Sequence, residues 1–198
     1  MALRSDIHRW GTFTRTLHWL TALAVLGLLG VGWWMDGLPN SPDKIAVYKL
    51  HKSVGLTVLA LALVRIAWRL FERARPQPPS MPGWQRLAAA STHWALYAGI
   101  LVMPLSGWLY NSASGFPLKW FELFKVPALS GADAGLKALA GEIHGTAAIV
   151  VAVAAALHVL GALKHHFIDR DHVLAAMLPF HRGAAPAPAA PPPPENIP

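Results

Sequence analysis

Four uninterrupted apolar stretches, each longer than eighteen residues, constrain this 198-residue chain more than any other feature. They cover roughly 14–35, 47–71, 90–111 and 141–164, and each is long enough to cross the ~30 Å hydrocarbon core of a bilayer. In lipid the backbone must satisfy its own N–H and C=O groups, so such runs become helices. Mean hydropathy is +0.38. Charged residues are 14% of the chain against ~25% in soluble domains, which leaves no room for a soluble catalytic domain. The expected fold class is all-α, an integral-membrane four-helix bundle filling residues 1–182.

The first run is not a signal peptide by pattern. Its apolar part, Leu17 to Met35, exceeds an h-region of roughly 7–15 residues, and no small-x-small site follows. The connection ERARPQPPSMPGWQR cannot be helical through its centre, and Pro104 predicts a kink in the third span. In the loop before the fourth span, PLKWFELF alternates charge with aromatics and is expected to form a short interfacial helix. The Pro–Ala-rich residues 183–198 are expected to be a disordered cytoplasmic tail.

Eleven of the seventeen basic residues flank one side of the spans: Arg4, Arg9, Arg15, Arg65, Arg69, Arg73, Arg75, Arg86, Lys164, Arg170 and Arg182. The other side holds Lys44, Lys49, Lys52, Lys119, Lys125 and Lys137. The positive-inside bias therefore places both termini in the cytoplasm. Trp10, Trp19, Trp68 and Trp84 fall near the inner headgroups, and Trp33, Trp34, Trp108 and Trp120 near the outer ones. Anionic lipid explains the basic residues, and no nucleic-acid partner is expected.

His144 and His158 lie fourteen residues apart in the fourth run with no charge between them. That step falls about 40° short of four turns and climbs ~21 Å, so both imidazoles share a face at two depths. Imidazoles in a membrane are rare and need partners, and neutral imidazole is a common metal ligand. Each earlier span starts with its own histidine: His18, His51 and His93. Alternating directions put His51 with His144 at the outer level and His18, His93 and His158 at the inner one. The fourteen-residue step from His18 lands on Gly32, from His51 on Arg65, and from His93 on Gly107. Glycine admits a flat macrocycle, and Arg65, with Arg69 a turn beyond, could pair a haem propionate. Lone metal ions need none of this, whereas two haems do. His8, His165, His166, His172 and His181 read as solvated or headgroup-facing. Cysteine is absent, which excludes c-type haem attachment, thiolate ligation and iron–sulfur clusters.

With RTLHWLTAL, LHKSVGLTVLALALVRIAWRL, HWALYAGILVMPLSGWL, EIHGTAAIVVAVAAALH and the closing KHHFIDRDHVLAAMLP, the chain resembles the bacterial cytochrome b561 family over roughly residues 10–180. It is more distantly similar to the di-haem cytochrome b subunits of formate dehydrogenases and nickel–iron hydrogenases. The resemblance implies a bundle binding two haems b in the inner membrane. It implies His51 and His144 as iron ligands of the outer haem and His18 and His158 of the inner one. Periodicity alone leaves His93 open as a ligand; the resemblance favours His18 and leaves His93 beside the inner haem or a quinone. It further implies ubiquinone as lipid-soluble partner, and one branch of the family oxidises superoxide.

Lys49, Lys52, Lys119 and Lys125 could draw superoxide to the outer haem, dock an acidic periplasmic redox protein, or simply keep the loops wet. His93, Arg65 and His165 are candidate donors to a quinone headgroup. Two rivals remain: a divalent-metal transporter and a structural anchor subunit. A transporter needs carboxylates along its path, and no Asp or Glu lies well inside a span.

Overall fold

The computed structural model describes residues 5, 10–72 and 81–178. The stretches 1–4, 6–9, 73–80 and 179–198 lie outside the described residues, and with them Arg4, His8, Arg9, Arg73, Arg75, His181, Arg182 and the Pro–Ala tail. Four long helices dominate: α1 (Thr12–Asp36), α2 (Pro42–Phe71), α3 (Gly83–Ala113) and α4 (Ala134–Lys164). All four are long and apolar enough to cross a membrane. They extend beyond the apolar runs because polar residues cap them outside. Ser41 accepts Lys44 N–H at 3.2 Å with Pro42 at the first turn of α2, and Asp133 accepts Leu136 N–H at 2.7 Å at the start of α4.

Consecutive helices run in opposite directions. His18, early in α1, meets Arg65, late in α2, and Lys52, early in α2, meets Asn111, late in α3. The outside of the bundle is apolar: Leu20, Leu23, Leu63, Val153 and Leu160 are all exposed. The interior is lined by small side chains, with Ala62, Ala140, Ala154, Ser53 and Ser106 buried. A protein in water would reverse this, whereas helices in lipid gain by close packing of small residues. Val58, Ala62 and Ile100 form the centre, with Val25, Leu28 and Tyr97 against them. α3 and α4 make the most extensive contact. A Cβ added at Gly99 would stand 2.2 Å from Val151 Cγ2, so only glycine permits this approach.

The bundle is helical as expected, and one connection between its helices is not. The segment expected as an interfacial helix is a hairpin, β1 (Leu118–Trp120) paired antiparallel with β2 (Phe124–Val126) in the register Leu118↔Val126 and Trp120↔Phe124. Within each strand a charged residue sits between two apolar ones, Leu118-Lys119-Trp120 and Phe124-Lys125-Val126, which is the strand period. At the tip Phe121 and Glu122 hold φ of 45° and 60°, and Leu123 N–H closes on Trp120 O at 2.9 Å. These left-handed residues cost about 1–2 kcal/mol each, offset by contacts with α2. Phe121 N–H donates to Ser53 Oγ at 2.9 Å and Trp120 Nε1 to Thr57 Oγ1 at 3.0 Å.

At the opposite end, α4 passes into a π turn (His165–Asp169), and α5 (Val173–Met177) folds back. Arg15, 5% exposed, donates to Leu178 O at 2.9 Å, and Trp19 Nε1 donates to Met177 O at 3.0 Å. Arg15 is thus a buried clamp rather than a headgroup contact. Several tryptophans read as belt anchors also make specific bonds, as Trp68 does to Thr14 Oγ1 at 3.0 Å. Pro104 sits buried inside a continuous α3.

Candidate functional site

The five span histidines gather at two levels. On the hairpin side, His51 of α2 and His144 of α4 have ring centres 6.4 Å apart. On the termini side, His158 of α4 lies 6.0 Å from His18 of α1 and 5.2 Å from His93 of α3. Imidazole nitrogens bind metals at about 2 Å, so two rings on opposite sides of one metal have centres roughly 6 Å apart. The His51–His144 and His18–His158 pairs have that separation; His93 stands closer and is exposed.

One nitrogen of His144 is already engaged. Its Nδ1 is 2.9 Å from Met103 O, and a carbonyl can only accept, so Nδ1 carries the proton and Nε2 is free for a metal. Ser106 Oγ is 3.2 Å from the same nitrogen and donates to Met103 O at 3.0 Å. His51 Nδ1 is buried with no hydrogen-bond partner. An orphaned ring nitrogen is costly in an apolar interior, and a bound group beside it removes that cost.

The two glycines singled out by spacing stand beside these rings. A Cβ on Gly107 would come 3.1 Å from His144 Cε1, and one on Gly32 would come 3.4 Å from His51 Cε1. Between the levels, a cavity of about 420 Å³ of empty space, its open mouth included, is bounded by His51, His144, Gly55, Val58, Pro104 and Val151. Its walls are almost wholly apolar, as cofactor sites are.

On the termini side, Arg65 Nη2 lies 3.2 Å from His18 Nδ1. The Arg65 and Arg69 guanidinium carbons stand 5.4 and 5.6 Å from the Tyr97 ring centre. Among the described residues neither arginine meets a carboxylate. Two unneutralised cations at membrane depth suit an anionic group such as a propionate. A neutral imidazole that gives Nε2 to iron carries its proton on Nδ1, so Arg65 must then leave His18 for another acceptor. The paired imidazoles, orphaned nitrogen, glycine cradle and guanidiniums without a carboxylate together fit an iron porphyrin.

The sequence profile of prokaryotic cytochrome b561 matches residues 9–180. The chain belongs to the prokaryotic cytochrome b561 family. It is 36% identical over 185 residues to cytochrome b561 homolog 2 of Escherichia coli (strain K12), covering 90% of this chain and 95% of the relative. It is 32% identical over 170 residues to cytochrome b561 homolog 1 of the same organism, covering 82% and 93%. It is 26% identical over 173 residues to the probable superoxide oxidase CybB of Yersinia pestis, covering 84% and 94%. As a b-type cytochrome of this family, the chain is a multi-pass membrane protein of electron transfer that binds haem b.

Spacing did not reveal the partners that orient these rings. Met103 O and Ser106 come from α3, and nothing in their local pattern marks them except the nearby Pro104 and Gly107. Tyr97, which the two arginines flank, is equally silent in sequence. His165, expected in solvent, is mostly covered and lies 2.6 Å from Asp171 Oδ2. The hairpin-side lysines are partly spoken for. Lys49 and Lys119 pair with Glu122 at 3.3 and 3.2 Å, and Lys52 donates to Asn111 Oδ1 at 3.0 Å.

Proposed function

We propose that the chain holds two haems b, one between His51 and His144 and one between His18 and His158. Through them it passes electrons across the bilayer from a hairpin-side donor to ubiquinone on the termini side. The observation that carries this is the meeting of imidazoles from separate helices at two depths, each pair about one metal's width apart. Haem b supplies reversible one-electron chemistry when bound, and full axial ligation favours transfer over oxygen binding. The residues do the rest. Met103 O and Ser106 orient His144, Gly32 and Gly107 leave room at the rings, and Arg65 and Arg69 hold negative charge.

His93 is the third imidazole at a level where one metal needs two, and it is exposed beside His158. It is assigned to a quinone oxygen as hydrogen-bond donor, with Arg65 nearby. On the hairpin side Lys52 and Lys125 form no ion pair among the described residues and draw a small anion, superoxide, toward His51. A second reading, an acidic periplasmic redox protein as donor, rests on the spread of Lys49, Lys52, Lys119 and Lys125 over the hairpin side, which suits a broad acidic face as well as a small ion. The basic-residue bias supports the bacterial inner membrane with both termini cytoplasmic. Divalent-metal transport is disfavoured: among the described residues, no carboxylate lies within hydrogen-bond reach of a span histidine.

Absorption spectra and stopped-flow mixing test this. Two haems b per chain, reduced by superoxide and reoxidised by ubiquinone, are expected. A reduced spectrum unmoved by superoxide leaves the redox-protein donor, and a colourless protein that binds zinc overturns the relay.

A further inference from the structure

One polar cluster at the termini side takes no part in pairing the span histidines. In the π turn that ends α4, His165 Nδ1 lies 2.6 Å from Asp171 Oδ2 and 3.2 Å from Asp169 Oδ2. Asp169 is claimed by Lys164 at 2.6 Å. Asp171 Oδ1 accepts Val173 N–H at 2.9 Å where α5 begins, which aims the other oxygen at the imidazole. A carboxylate on Nδ1 keeps that proton in place and leaves Nε2 as the working nitrogen. Nε2 has no partner among the described residues. Side-chain exposure climbs outward through the cluster: 13% for His165, 22% for Asp171 and 30% for Asp169. His165 follows His158 by seven residues, which is within about 20° of the same helix face and ~10.5 Å nearer the end. π turns are uncommon and recur at functional sites.

A quinone that becomes a quinol takes up two electrons and two protons. The electrons are those the family transfers, delivered from reduced haem b; the protons must come from water. The other carboxylate described at this end of α2, Glu72, is occupied by the hydroxyls of Ser5 and Thr14. We propose that His165, held by Asp171, is the proton donor to the quinone on the termini side, acting on the oxygen turned away from His93 and toward the end of α4. The imidazolium breaks its Nε2–H bond as an O–H bond forms on a quinone oxygen. The ring is left neutral, with its remaining proton on Nδ1 against Asp171. Bulk solvent, which reaches the more exposed Asp169 side of the cluster, restores the Nε2 proton, and a second pass matches the second electron. This rests on the quinone assignment above.

The test uses the haem-loaded full chain reduced beforehand, then mixed either with a short-chain ubiquinone or with ferricyanide, an acceptor that takes electrons without protons. General acids contribute about 10²–10⁴-fold, and nearby water bypasses part of that, so His165→Gln is expected to slow oxidation by quinone at least about tenfold. Oxidation by ferricyanide is expected to stay unchanged. Asp171→Asn keeps the shape and the bond to Val173 but not the charge, and it carries the same test if His165→Gln fails to fold. A readout independent of turnover is the ¹⁵N spectrum of His165, expected to show the proton on Nδ1 in the wild type and a loss of that preference in Asp171→Asn. Wild-type rates by quinone in both variants, or equal slowing with ferricyanide, overturn the proton role while the quinone assignment stands. A wild-type chain that quinone does not oxidise at all overturns both.

Discussion

Gly107→Ala probes the cradle around His144, and its effect can be worked from distances. The added methyl would stand 3.1 Å from His144 Cε1 and 3.2 Å from Nδ1, inside the ~3.5–4.0 Å at which carbon atoms attract. The ring must retreat a few tenths of an ångström, but Met103 O holds it at 2.9 Å and Ser106 Oγ at 3.2 Å. Weakening that bond costs about 0.5–1.5 kcal/mol. Alanine's helical advantage of ~1 kcal/mol acts on folding and does not restore haem affinity. Loss of a ligand's orienting partner typically costs about 10–100-fold in metal affinity, so a roughly tenfold faster haem loss is expected. Gly32→Ala is the control: its methyl would meet His51 Cε1 at 3.4 Å, near ordinary contact, and haem loss should change by under about twofold. Haem transfer to an apoglobin acceptor, followed optically, measures both. If Gly107→Ala keeps its haem as the wild type does, or Gly32→Ala loses more, the cradle argument is wrong.

Replacing His144 with alanine should abolish one haem and leave the other spectroscopically present; retention of both would refute the pairing. Gly99→Ala drives a methyl to 2.2 Å from Val151 Cγ2 and should lower the melting temperature through a cost of about 1–3 kcal/mol, with Val151→Ala restoring part of it. Glu122→Gln releases Lys49 and Lys119, so reduction by superoxide should accelerate about threefold and depend more steeply on salt; an unchanged rate excludes steering at this end. Lys119, and then Lys49, hold the Glu122 carboxyl below the usual carboxylate range. With a lowered folded value, their pairing steadies the hairpin above the ordinary range and is lost only as pH falls through the lowered value. Amide protection across 118–126, taken relative to the intrinsic exchange rate at each pH, should therefore hold down to the ordinary glutamate range and fall only below it.

Much of the bundle was legible in the chain because lipid imposes one rule, that long apolar runs close their own hydrogen bonds as helices. Helical arithmetic then placed His18, His51, His93, His144 and His158 at two depths, and it set Gly32 and Gly107 beside the rings they now touch. The hairpin was misread because PLKWFELF is short, and its aromatics and charges suit an interfacial helix as well as a strand. What settled it was Ser53 and Thr57 on α2, residues far away in sequence that accept its N–H groups.

The sequence by itself determined the number of spanning helices, their solvent and the depth of each imidazole, since these depend on composition and on a rise and rotation per residue. Only the tertiary structure decided which ring faces which, that Met103 O orients His144, that Glu122 quenches two lysines, and that Asp171 grips His165. Those are relations between separate helices and loops, set by packing distances of a few ångströms that no local pattern encodes.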